Sequence, residues 1–192
     1  DRALPEATGF VSMISKTREI LAVALNGSER IKNIVAALQG FTKHQHDGRS
    51  KNSIAAEIHT TVTMFCYQFK DVDVEESIPA DWRIEGVWAE LNQAILNLLV
   101  NAAQAGATKI AIIADPARDG TITIRIADNG EGMDIQTQAR IFEPFFTTRS
   151  VGNSGLGLSI TQKIIEQHGG SIAVESRPGE GATFQITLPA HS

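Results

Sequence analysis

The sequence predicts an α+β fold, a two-layer α/β sandwich preceded by a long amphipathic helix. Three observations carry this. Apolar residues recur at helical spacing in several separate segments. Other segments alternate apolar and polar residues, as strands with one buried face do. Glycine-containing turns punctuate the two kinds.

Taken in order, Met13, Ile14, Leu21, Leu25, Ile31, Val35 and Leu38 repeat every three or four positions between Phe10 and Phe41, which predicts the long helix, weakened or bent at Gly27 and Ser28. Such a helix serves either a dimerising bundle or a simple surface, and periodicity leaves both open. Residues 44–52 break it. Asn52 or Ser53 then caps a second helix running to about Phe65, with Ile54, Ile58, Val62 and Phe65 as its buried stripe. A short strand is expected near Asp71 to Glu75, before Pro79. The third helix, about Val87 to Ala105, has two clean faces. Trp88, Leu91, Ile95, Leu98 and Leu99 lie on the apolar one. Glu90, Gln93, Asn97, Asn101 and Gln104 form a narrow polar stripe, and Gly106 ends the helix. Lys109 to Ala114 and Thr121 to Asp128 read as an antiparallel hairpin. A helix from about Leu156 to His168 stops at Gly169 and Gly170. Strands Ser171 to Ser176 and Thr183 to Leu188 flank a turn at Pro178 to Gly181, completing a mixed or antiparallel sheet.

With 192 residues, 42% of them hydrophobic, the chain can bury one good core and a helical appendage, but not two large domains. A net charge of -5 without a basic stripe argues against nucleic acid as a partner. The lone Cys66 can form no internal disulfide, and no Cys/His cluster has metal-ligand spacing. A reducing, cytoplasmic setting is expected. No apolar run approaches the ~20 residues of a membrane span, so a membrane would be reached only through segments outside this chain. A first residue other than Met suggests a piece cut from a longer protein, whose parent can be anchored in the inner membrane.

Four features follow one another in order: Asn97 to Asn101, Asp128 to Gly132, Phe142 to Phe146, and Gly155 to Leu158. They resemble the nucleotide-binding boxes of sensor histidine kinases: the amide-bearing helix, the first glycine box, the aromatic box and the second glycine box. Residues Gly179 to Phe184 resemble the third glycine box. The resemblance covers most of the chain from Ile31 onward and implies the ATPase fold shared with gyrase, the heat-shock chaperone and mismatch-repair proteins. It implies ATP and Mg2+ as cofactors. The family's second glycine box commonly starts with a further glycine where Asn153 and Ser154 stand here; asparagine tolerates the left-handed geometry such a turn needs.

Within that resemblance each residue has a chemical reason. Asn97 and Asn101, at i and i+4, can turn amide oxygens toward one Mg ion, with Asn101 where the superfamily places its Mg-binding asparagine. Asn97 stands where gyrase-like relatives carry a glutamate base. An amide cannot abstract a proton, which favours phosphoryl transfer over hydrolysis. Asp128 can accept a hydrogen bond from the adenine amine, while Gly130 and Gly132 let the backbone turn and approach the base. Phe145 and Phe146 anchor a loop able to close over ATP, continued by Thr147, Thr148 and Arg149. Arg149 either neutralises phosphate or is a solvated cation. Ser154, Gly155, Leu156, Gly157 and Leu158 start a helix whose free NH groups point at polyphosphate, without the Gly-Lys-Ser/Thr of a P-loop. Thr183 either donates a hydroxyl to nucleotide or is only a strand residue.

The phosphoacceptor helix is not found. His46 and Asp47 are followed by a helix-ending Gly48, His59 reads as an exposed helical residue, His168 as a cap for carbonyls, and His44 and His191 carry no signal. The acceptor is expected before Asp1. The reading is thus a domain boundary near residue 48: residues 1–48 as the second helix of a dimerisation bundle, and 49–192 as the ATP-binding catalytic domain. The domain would transfer the γ-phosphoryl of Mg-ATP to a histidine outside the chain, for onward passage to a response regulator, in a protein able to form a homodimer. The alternatives are a nucleotide-gated ATPase or a degenerate dimerisation module of the same superfamily.

Overall fold

The computed structural model describes residues 16–17, 48–116, 120–148 and 154–190. The expected long helix lies outside them except for Lys16 and Thr17, which are helical, and the histidines 44, 46 and 191 lie outside as well, while the described catalytic portion begins at Gly48, where the domain boundary was expected. In chain order the elements are β1 (Ser50–Ser53), α1 (Ile54–Gln68), β2 (Asp73–Ser77), β3 (Arg83–Gly86), α2 (Trp88–Gln104), β4 (Lys109–Pro116), β5 (Thr121–Asp128), α3 (Ile135–Gln138), α4 (Gly157–Gln167), β6 (Ser171–Ser176) and β7 (Ala182–Pro189). Among the described residues no helix is long and apolar enough to cross a membrane.

Five strands form one sheet in the order β2-β4-β5-β7-β6, with β2 parallel to β4 and the other pairs antiparallel. The sheet is therefore mixed, one of the two arrangements the sequence allowed. Alternation sends Ile110, Ile112, Ile124, Ile126, Phe184 and Ile186 to one face, where the helices cover them. The helical stripes meet that face as the periodicity requires: Ile54, Ile58, Val62 and Phe65 from α1, Leu91, Ile95, Leu98 and Leu99 from α2, Ile164 and Ile165 from α4. Layer on layer, this is the two-layer sandwich.

Helix limits follow local chemistry. Ser53 caps α1, its Oγ accepting from Ala56 N. Gly106, at φ 75°, closes α2: its NH donates to Ala103 O and that of Ala107 to Ala102 O, the Schellman pattern. Gly169, at φ 73°, closes α4 the same way, with Gly169 N donating to Glu166 O and Gly170 N to Ile165 O. Three short elements were not expected. β1 and β3 pair with each other as a two-stranded ribbon, and α3 is a single turn capped by Asp134. Each has four residues, too few for a period to show.

Candidate functional site

Between α2, the loop after β5, residues 141–148 and the start of α4 lies a cavity of about 810 Å³, within the range of small-molecule sites. It gathers most of the predicted residues. Asn97, Asn101, Asp128, Gly132, Phe146, Thr147, Thr148 and the run Ser154 to Leu158 all line it, and Gln93 and Gln104 from the same polar stripe of α2 join them. The i, i+4 spacing thus sets Asn97 and Asn101 on one wall, one turn apart.

Opposite them, β5 ends at Asp128. Its Oδ1 accepts from Gly130 N at 2.8 Å and from Ala182 N at 3.3 Å. With Oδ1 held, Oδ2 is the oxygen that can accept from a ligand. Burial pushes this carboxyl up, against the two backbone amides, which pull it down. The loop that follows is tied at both ends. Asn129 Oδ1 accepts from Thr108 N and Lys109 N at 2.9 Å each, Glu131 N donates to Ala105 O at 2.9 Å, and Gly179 N donates to Glu131 O at 2.7 Å. Two glycines make these crossings sterically feasible. A Cβ on Gly132 would sit 1.9 Å from Arg177 O, and one on Gly181 the same distance from Asp128 O.

At the other end the first turn of α4 faces the cavity. Its N-cap residue, Leu156, makes no side-chain cap bond, so the first NH groups are open to an anion. Asn97 Nδ2 reaches the same turn, 3.3 Å from Gly157 O. Phe145 N donates to Gly155 O at 2.9 Å, and a Cβ on Gly155 would lie 2.5 Å from Phe145 C, so the aromatic segment and the second glycine box lean directly on each other.

The structure does not bring three predicted residues to the cavity wall. Gly130 is buried behind it against Ala105, where its role is to let the loop pass. Phe145 points away, 71% exposed, on a left-handed backbone (φ 68°), and only Phe146 of the pair turns inward. Thr183 lies between Ala182 and Phe184, which do line the cavity, and strand alternation sends its side chain to the opposite face. Arg149 and Asn153 lie outside the described residues. Of the histidines, His59 is exposed on α1 as expected. His168 does bind a carbonyl, its Nδ1 lying 2.8 Å from Ile164 O, but it also accepts from Val87 N at Nε2 over 3.0 Å, joining α4 to the start of α2.

Sequence reasoning missed most of the apolar wall: Met133, Ile141 and Ile160 line the cavity, as do Ala182 and Phe184 of the third glycine box, in which only Thr183 was singled out. It missed the support beneath as well. Gln138 Nε2 donates to Met133 O and Ser176 O while its Oε1 accepts from Ser176 N, and Ser176 Oγ accepts from Met133 N and donates to Gly181 O. Only the isolated Met133 after a glycine gave any signal. Among the described residues the charged lining groups are Asp128, Glu131 and Asp134, all acidic, and no cluster of three His, Cys, Asp or Glu can hold a metal. An anion placed here would face the α4 dipole and neutral amides. A divalent cation shared between those amide oxygens and the phosphates fits this donor set, because a hard cation accepts neutral oxygen ligands and offsets phosphate charge.

The chain is similar in sequence and in fold to known proteins. The family of histidine kinase-, DNA gyrase B- and HSP90-like ATPases matches residues 86–192. The signal transduction histidine-protein kinase AtoS of Escherichia coli (strain K12) is 36% identical over 177 residues, covering 90% of this chain and 29% of AtoS. Among solved structures, the mycobacterial sensor histidine kinase MprB superposes with a TM-score of 0.67 at 25% identity, over 74% of this chain and 98% of that one. The catalytic domain of histidine kinase ThkA gives 0.66 at 29% identity, over 74% and 95%. The chain spans well under half the length of the curated relatives it matches.

Proposed function

The chain belongs to the family of histidine kinase-, DNA gyrase B- and HSP90-like ATPases, and from that premise we propose that it is the ATP-binding catalytic part of a sensor histidine kinase, passing the γ-phosphoryl of Mg-ATP to a histidine outside this chain. The observation that carries the reading is the pairing, across one cavity, of a carboxylate held by two backbone amides with an open helix N-terminus. Asp128 Oδ2 accepts from the adenine amine, and Met133, Ile141 and Ile160 sheathe the base. The first turn of α4, with Ser154 to Leu158, takes the phosphates. Asn101 and the oxygen of Asn97 are the residues that would hold Mg2+, which would neutralise phosphate charge when bound. Thr147, Thr148 and Arg149 belong to the segment closing over the phosphates.

The residue standing in the place of a hydrolytic base supports transfer over hydrolysis. Asn97 has no proton-accepting nitrogen, and its amide is already donating to Gly157 O. Catalysis then rests on holding the phosphoryl group in line with an acceptor and stabilising its charge. In this reading residues 49–192 are the catalytic domain, 1–48 belong to a dimerisation bundle, the acceptor helix belongs to the same protein, and a response regulator takes the phosphoryl next.

Calorimetric titration with ADP and Mg2+ tests the site, with Asp128→Asn beside it. Because Gly130 N and Ala182 N fix an oxygen at Oδ1, the substituted amide must turn its NH2 toward the adenine amine, donor against donor. Binding of one nucleotide per chain that disappears in the variant supports the reading. Mixing the chain and ATP with a folded acceptor-helix protein of the same kinase should then give an acid-labile phosphohistidine. Many turnovers of phosphate release without protein labelling would establish an ATPase instead, and folded protein that binds no nucleotide a degenerate module.

A further inference from the structure

The side chain of Thr161 is 0% exposed, on the face of α4 turned toward α2. Valine would fill the same space without a polar atom, so the hydroxyl calls for a reason. Thr61, the other buried threonine of the described helices, bonds back to Glu57 O within its own helix, a common way for a helical threonine to satisfy itself. Thr161 does this too, donating to Gly157 O at 2.9 Å, but it also receives Asn97 Nδ2 from α2 at 3.4 Å.

That second contact joins the Gly157 carbonyl in fixing the sense of the Asn97 carboxamide. Nδ2 has two neighbours on the α4 side, Gly157 O at 3.3 Å and Thr161 Oγ1. A carbonyl oxygen only accepts. A hydroxyl whose proton is committed to that carbonyl offers a third group only lone pairs. Both positions demand a donor, and the flipped amide would set Oδ1 against two oxygens. Oδ1 is thereby turned from α4 toward the cavity that Asn97 lines, one helical turn from Asn101.

We propose that Thr161 is a positioning residue for the nucleotide site: its hydroxyl locks the Asn97 carboxamide with the oxygen facing the cavity, so that the amide meets a phosphate-bound Mg2+ as an acceptor. This rests on the Mg-nucleotide reading given above. With the hydroxyl gone, one of the two acceptors is lost and Gly157 O alone holds the amide, at 3.3 Å, so the flipped orientation becomes populated and the site presents an NH2 to the cation for part of the time. The effect belongs to the cation-linked part of binding and not to the adenine end, which Asp128 holds on the far wall.

The experiment measures ADP affinity in Mg2+ and in EDTA for the natural chain, Thr161→Val and Thr161→Ser. The ratio of the two affinities is the gain due to the cation. Thr161→Val should shrink that gain roughly three- to tenfold, the worth of one or so hydrogen bonds, while the affinity in EDTA stays within about twofold. Thr161→Ser, which keeps the hydroxyl, should restore the gain. Thr161→Ala removes the hydroxyl equally and supplies the same readout if the valine variant does not fold. An undiminished gain in the valine or alanine variant overturns the proposal. So does an equal loss in Mg2+ and EDTA, which would mean that Thr161 only shapes the end of α4. Nucleotide binding by the natural chain with no gain from Mg2+ overturns both the proposal and the metal reading, whereas no binding by the natural chain at all would sink the site itself.

Discussion

Burial raises the Asp128 carboxyl above its ordinary 3.8, and the NH groups of Gly130 and Ala182 oppose it without prevailing. The direction has two consequences of known sign. In the pH window above 3.8 and up to the raised value, the folded chain holds a proton that the unfolded chain has released, so Asp128 favours folding at low pH and that contribution is lost as pH rises through the window. Ligand binding runs the opposite way, because only the carboxylate offers both oxygens as acceptors. The share of ADP affinity owed to Asp128 should fall about tenfold per pH unit once pH drops below the raised value, with the break above 3.8, on top of the change at about pH 6 that the second ionisation of the ligand's own phosphate brings. Asp134, also on the cavity wall, is shifted down by the amide and hydroxyl of Thr137, so it cannot produce a break there. Calorimetric affinities across the acid range check this, and an affinity unchanged down to 3.8 would contradict the role given to Asp128. Asp128 was legible in the sequence because its requirements are local: a strand end, then glycines at the second and fourth positions after it. Thr161 and Gln138 were not, because their partners lie 64 and 38 residues away along the chain, and nothing in a threonine or glutamine announces a distant partner.

Elements showed the same division. Periodicity located α1, α2, α4 and the four antiparallel strands to within a few residues, since each has six residues or more. It missed β1, β3 and α3, whose existence depends on pairing and capping. It recovered β2 shifted by two residues, because that acidic edge strand has little alternation to read. What fixes the ends of these elements can be tested. The two turns that frame Asp128 cross so closely that Gly132→Ala or Gly181→Ala puts a Cβ into a backbone oxygen at a left-handed φ. Each should cost about 3 kcal/mol of stability. Gly179→Ala, at φ 81° but in open space, should cost only about 1 kcal/mol. Urea midpoints separate the two classes, and equal losses would mean that φ alone, not the crossing, is responsible. The joint between α4 and α2 is His168, 7% exposed. It accepts from Val87 N while binding Ile164 O, which sets the proton on Nδ1. His168→Phe keeps the bulk but strands the Val87 NH, and should cost about 1–3 kcal/mol; a neutral result in urea would mean that water takes over the bond.

For the molecule as a whole, the cavity is built where the two layers part. Its walls come from α2 and α4 in the helical layer, from the ends of β5 and β7 in the sheet, and from the loops between them. The order of the boxes along the chain foretold which segments would meet, since a match to a family pattern carries that family's fold with it. It could not foretell the apolar wall, because Ile141, Ile160 and Phe184 look like any core residues until the fold leaves one side of them open. A ligand in such a place touches both layers and three loops at once, and unfolding must release it. Nucleotide at about 100 times its Kd should therefore raise the unfolding free energy by about 2.7 kcal/mol. The urea slope should stay the same, because the surface exposed on unfolding is nearly unchanged. Asp128→Asn should gain almost nothing at that same concentration. If ADP instead protected only the amides of residues 128–133 and 154–158 from hydrogen exchange and left those of β4 and β7 unchanged, the loops would open independently of the sandwich, and the cavity would be a clamp mounted on the fold instead of a part of its cooperative core.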